Sequence, residues 1–64
     1  MKTISVVELY TAANKRVLII PDAREGVNYR GFYTADEESG ELHFHFGTFV
    51  DNDAAAINLA LSNL

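Results

Sequence analysis

The sequence predicts a small α+β domain: a helix, a strand, a β-hairpin and a C-terminal helix, built around a mainly antiparallel three-stranded sheet. Three observations point there. Residues 16–20 read Arg-Val-Leu-Ile-Ile, a short β-branched run that stops at Pro21. Residues 28–34 and 41–50 are rich in aromatic and β-branched side chains and flank an acidic, glycine-bearing turn. An alanine- and leucine-rich segment follows Asp51-Asn52-Asp53. Short apolar runs bounded by turn residues are strand signals, and a helix is announced by Asp or Asn before an apolar-periodic segment.

The first element is expected to be a helix over about 6–14. Ser5-Val6-Val7-Glu8 has the Ser-x-x-Glu spacing of a capping box, in which each side chain satisfies a free backbone N–H. Leu9, Ala12 and Ala13 would join Val6 on its core side, and Asn14-Lys15 would end it. A strand competes for the same residues, since Ile4, Val6 and Val7 are β-branched and Tyr10-Thr11 continue that preference. In that case the sheet becomes a four-stranded meander carrying one C-terminal helix.

Residues 16–20 form a buried strand, and 22–27 a polar loop with Gly26 as its flexible point. The hairpin is read with Glu38-Ser39-Gly40 as a three-residue turn and Gly40 left-handed. Glu37 then pairs with Glu41, and Phe32 lies opposite Phe46. With a side-chain period of two, Leu42, Phe44, Phe46 and Val50 share the core face with Phe32. Tyr29, Tyr33, His43, His45 and Phe49 occupy the other face, where Gly31 and Gly47 stand level. The last helix, about 54–62, has a core stripe of Ile57, Leu61 and Leu64 with Ala54 and Ala60 at its flanks. Leu59 falls on the opposite side, beside Ala55, Ala56, Ser62 and Asn63.

Composition limits what such a chain does. With 64 residues there is room for one domain, 1–64, and a thin core. There are no cysteines, so disulfides cannot reinforce it, and a second copy is one remaining means. The 48% apolar and 22% charged fractions are those of a globular protein rather than a disordered one. No apolar run reaches the ~20 residues that a membrane span requires. Met1-Lys2-Thr3 is not followed by the apolar stretch of a signal peptide, so a cytoplasmic location is expected. Nine acids against five bases leave a net charge of −4, which argues against direct nucleic-acid binding and for a partner protein with a basic surface.

Chemistry-bearing constellations are few. His43 and His45 stand two apart on a strand, roughly 7 Å from each other, which is two ligands of a metal site without a third. Solvent-facing or half-packed histidines are the expectation, with no metal and no cofactor. The serines have no base nearby in sequence, and the glycines do not have a phosphate-cradling spacing. No enzyme is expected. Asp36, Glu37, Glu38 and Glu41 place four carboxylates at one hairpin tip. They serve either to keep the sheet end soluble or to present a row of negative charge resembling nucleic-acid phosphates. Tyr29 and Tyr33 would add contact area, because amphipathic aromatics are enriched at interfaces.

The Thr-Ile-Ser-Val-Val-Glu-Leu opening at residues 3–9 and the acidic hairpin, on a tiny, acidic, cysteine-free chain, resemble small proteins of bacteriophages and mobile elements. Among these the chain is similar in kind to anti-CRISPR proteins. That resemblance implies an inhibitor that occupies the basic nucleic-acid channel of a partner such as a CRISPR effector subunit, inside a bacterial host cell. It carries no particular residues over. The expected function is therefore a non-catalytic protein-binding module contacting its partner through Asp36, Glu37, Glu38 and Glu41 with Tyr29 and Tyr33. The alternative is a homodimeric structural or accessory domain pairing through Leu59, Ala55 and Ala56, or through the aromatic face, and a third reading, ranked below both, is a metal-binding module on His43 and His45.

Overall fold

The computed structural model describes residues 6–64, and it contains four strands followed by one helix: β1 (Val7–Tyr10), β2 (Arg16–Pro21), β3 (Tyr29–Ala35), β4 (Leu42–Phe49) and α1 (Asp53–Asn63). The strands form one antiparallel sheet in the order β1-β2-β3-β4, the meander of the second reading.

The expected first helix is a strand and a turn. Val7 and Leu9 point one way, Glu8 and Tyr10 the other, and the pairs Val7–Ile19 and Leu9–Val17 bury the apolar set. A nine-residue helix is marginal by itself, whereas β1 gains a ladder partner in β2 at once. Asn14 ends the segment differently from the expected helix stop. Its φ of 62° is left-handed; Asn14 N–H donates to Thr11 O at 2.8 Å and Thr11 N–H to Lys15 O at 3.0 Å. The result is a three-residue hairpin loop, 12–14, with Asn in the left-handed position. The tolerance for αL that makes Asn a helix stop serves equally well in a hairpin. The capping residue Ser5 lies outside the described residues. Across the β1–β2 pair, Arg16 Nε donates to Glu8 Oε2, an exposed ion pair of the kind worth about 0–1 kcal/mol.

The second hairpin departs from the expected register at its tip. Gly40 is left-handed, φ 74°, as read from the sequence. The turn, however, closes on Asp36 and Glu41: Asp36 N–H donates to Glu41 O at 2.9 Å, and Gly40 N–H to Asp36 O at 2.8 Å. Glu37 therefore belongs to a four-residue loop and does not pair with Glu41. Asp36 explains this, since its Oδ1 accepts from the N–H groups of Glu38 and Ser39, both at 2.9 Å, and holds the loop as an Asx turn.

The one-residue offset is absorbed by a β-bulge. Ala35, Thr34 and Tyr33 pair with Leu42, His43 and Phe44, yet Phe32 pairs with Phe46, leaving His45 as the extra residue. The Phe32–Phe46 pairing holds, with the rings stacked at 4.6 Å. Beyond the bulge every side chain of β4 changes face. Leu42 and Phe44, expected in the core, join Ala35 and Tyr33 on the opposite face, and Phe44 is 60% exposed. His43, expected beside the tyrosines, shares the side of Thr34, and His45 Nε2 lies 2.7 Å from Thr34 Oγ1.

The helix covers the other face. Val17, Ile19, Phe32 and Val50 are buried against Ala56 and Ala60, with Val7, Leu9, Phe46, Ile57, Leu59 and Leu64 around them. Asn52 caps α1, its Oδ1 accepting from Ala55 N–H at 2.8 Å. The expected stripe is rotated. Ala56, Leu59, Ala60 and Leu64 line up at i, i+3, i+4 and i+8, and Leu61 points outward, 52% exposed. Two fully buried alanines let the helix backbone sit close to the sheet, which Leu61 in their place would prevent. Leu59 and Ala56, read from sequence as an outward dimer patch, are thus part of the core, and a dimer through them would have to open it.

Candidate functional site

The helix protects one side of a four-stranded sheet, and among the described residues nothing covers the other. That bare face carries Leu18 and Ile20 from β2, Tyr29, Gly31 and Tyr33 from β3, and Phe44, Gly47 and Phe49 from β4. Glu8 and Tyr10 continue it on β1, beside Arg16. Four strands at about 4.8 Å, each about six residues of 3.3 Å, make a surface of roughly 400 Å². The β1 end of the face is charged, with Glu8 paired to Arg16; an apolar patch of this order is the largest that a typical monomer shows and is often functional.

The tyrosines are held by the glycines beneath them. Tyr33 lies across Gly31, where a Cβ would stand 3.0 Å from its Cε1, and Tyr29 lies across Gly47. Aromatic rings that cover cross-strand or neighbouring glycines restore packing that the missing side chain removes. Each tyrosine also meets a phenylalanine of β4 edge to face: Tyr29 with Phe49 at 5.1 Å and 78°, and Tyr33 with Phe44 at 5.3 Å and 66°. Phe49 in turn rests on Gly26, whose φ is 151°.

One end of this face is concave. A depression of about 420 Å³ opens between Ile20 and Gly31, walled by Tyr29, Tyr33 and Phe44. Its rim comes from Pro21 at the end of β2 and from Asp22, Arg24 and Glu25 of the loop that follows. The loop is ordered by Asp22, whose Oδ1 accepts from the Arg24 N–H at 3.2 Å and pairs with Arg24 Nε at 3.4 Å.

The sequence-predicted contact residues fall into two places. Asp36, Glu37, Glu38 and Glu41 are gathered and exposed at the β3–β4 tip. Tyr33 is three residues from that tip, roughly 10 Å, while Tyr29 is seven residues away at the far end of β3, roughly 23 Å. Asp36 differs from its neighbours: the backbone N–H groups of Ser39 and Glu38, then the Ser39 hydroxyl and the charge of His43, hold its carboxyl below the ordinary aspartate range. Its Oδ1 is engaged inside the turn, so Glu37, Glu38 and Glu41 are the freer charges of the tip.

Phe44, Ile20, Asp22 and Glu25 belong to the bare face and its rim although the sequence did not single them out. Ile20 sits in a continuous apolar run, where no period tells one face from the other. A period of two puts Phe44 in the core, because the bulge has no sequence signal of its own. Among the described residues no group of three His, Cys, Asp or Glu side chains is gathered around a common point for a metal ion, and no helix is long and apolar enough to cross a membrane. No protein-family model, curated protein or solved structure matches the chain.

Proposed function

We propose that this chain is a non-catalytic protein-binding module, an inhibitor-type domain that docks its bare aromatic face on a protein with a basic, nucleic-acid-binding surface. The observation that carries this reading is the uncovered sheet face, with Tyr10, Phe44 and Phe49 each more than half exposed in a chain of 64 residues. A few well-packed residues, aromatic ones among them, carry most of the binding energy of an interface. The carboxylates of the tip stand at the end of the same sheet, past Ala35 and Leu42, and, in a chain of net charge −4, favour basic groups there. A CRISPR effector subunit is a partner of this chemistry, met in the cytoplasm of a bacterial host.

A homodimer through the same face is the second reading, favoured by the same exposed rings and opposed by the like charge of two copies. Capture of a CRISPR effector from a lysate expressing it, at low and high salt, separates the two. The inhibitor reading expects salt-sensitive capture that is lost when Glu37, Glu38 and Glu41 are changed to Lys, which leaves the Asp36 turn in place, and weakened by Phe44→Ser. Self-association that is indifferent to salt and to the charge change, with no effector retained, would leave the homodimer.

A further inference from the structure

We propose that the depression beside β2 is a receptor for a guanidinium group, an arginine side chain presented by the partner protein. The wall chemistry is that of a cation site. Tyr33 and Phe44 meet at 66° with centroids 5.3 Å apart, so their rings form a corner rather than a flat surface, and Tyr29 bounds the same space. Cations are drawn to aromatic faces, arginine most often, and two inclined rings present more than one face to the same ion. Two acidic residues, Asp22 and Glu25, and one basic residue, Arg24, line the same space at its rim, an acidic excess of one. A planar guanidinium stacks on a ring while donating in its own plane to a carboxylate, which an ammonium cannot do. The volume, about 420 Å³, holds one arginine side chain with water to spare.

A second observation points to the same ligand. Arg24, from the rim itself, already pairs its Nε with Asp22 Oδ1 at 3.4 Å, yet its side chain is 91% exposed. The rim thus accepts a guanidinium through one carboxylate, while the chain's own arginine lines the depression with most of its side chain in solvent. Arg24 is placed to compete for Asp22 and to give way when an incoming arginine gains both the carboxylates and the rings.

The proposal deepens the protein-binding reading and rests on it for the partner that would supply the arginine. Its test uses no partner. The blocked peptide acetyl-Gly-Arg-Gly-amide is titrated into the 15N-labelled chain, with the peptide carrying citrulline in place of arginine as its neutral isostere. The arginine peptide is expected to shift the amides of Ile20, Gly31, Tyr33 and Glu25 in a saturable way, and the citrulline peptide to bind at least about fivefold more weakly. Glu25→Gln, at an exposed position that leaves the fold intact, weakens the arginine peptide by about two- to fivefold, and Arg24→Ala strengthens it. Equal binding of the two peptides, or shifts confined to the acidic tip at 36–41, would overturn the pocket. Loss of effector capture with peptide binding intact would overturn the protein-binding reading and leave the pocket standing, so the two failures are distinguishable.

Discussion

Tyr29 lies across Gly47 so closely that its phenol occupies the place of a Cβ on that glycine. The contact joins β3 to β4 at the end of the bare face remote from the tip, and it fixes the ring that meets Phe49. Gly47→Ala is expected to force the phenol out and to cost about 1–3 kcal/mol, the range of an overpacked contact. Denaturant unfolding measures that loss. The double variant with Tyr29→Ala should be less destabilised than the sum of the two single changes, because the clash vanishes with the phenol. Strict additivity would place the cost of Gly47→Ala elsewhere.

The hairpin between β1 and β2 depends on a left-handed residue at Asn14. Asn14→Gly should leave stability unchanged or slightly raised, while Asn14→Ala should lower it by about 1 kcal/mol. A left-handed helix stop at Asn14 would give the same order, so the strand assignment is tested at Ala12→Pro, which the first turn position after Thr11 tolerates and which would cost a helix over 6–14 about 3 kcal/mol. Thermal melting separates the two outcomes.

Leu59 and Leu61 are two residues apart on α1 and face opposite surroundings. Leu59→Lys is expected to cost about 2–5 kcal/mol, since it removes a core side chain and brings a charge against the sheet. The whole chain has on the order of 3–10 kcal/mol to lose, so this variant should be largely unfolded at moderate urea. Leu61→Lys should stay within about 0.5 kcal/mol of the parent protein. The reverse order would mean that the helix is rotated as the sequence suggested.

Asp36 couples the turn to pH. Its carboxyl titrates lower in the folded chain than its ordinary value of 3.8, chiefly because the Ser39 and Glu38 N–H groups bond the charged form. The unfolded chain therefore takes up this proton first as pH falls. The stabilisation is fully present above about pH 4 and is lost as pH drops from there through the folded-state value. Asp36→Asn keeps an oxygen acceptor for the turn and removes the titration, so its acid unfolding curve should be flatter in that window. Identical acid limbs for the two proteins would show that this turn makes no pH-dependent contribution.

His45 is the extra residue of the bulge, and its removal should be tolerated. Deleting it leaves Phe32 opposite Phe46 and Tyr33 opposite Phe44, with every face preserved. Deleting Phe44 instead puts His45 opposite Tyr33, leaves Leu42 and His43 with their partners and takes an aromatic ring from the bare face. Cross-strand NOEs between the Phe32 and Phe46 rings report the outcome: they persist without His45 if the bulge is as described, and the bare face keeps Phe44.

The local chemistry of this chain was legible residue by residue. The apolar run before Pro21, the Asn52 cap, the left-handed Gly40 and the Phe32–Phe46 pairing each follow from interactions within a few residues or across one hairpin. What needed the tertiary structure were choices between local solutions of nearly equal energy. Val6 to Asn14 suits a helix or a strand, and only a partner edge on β2 decides between them. The helix is apolar on nearly all sides, so its rotation is set by how closely Ala56 and Ala60 let it approach the sheet. The bulge at His45 comes from the Asx turn at Asp36, which lengthens the loop by one residue, and a period of two turns that single residue into an exchange of faces. The candidate site inherits that exchange. Tyr33 was recognisable as a contact residue from its type and place, but Phe44 and the rim of Asp22 and Glu25 join it only because distant segments meet across the sheet.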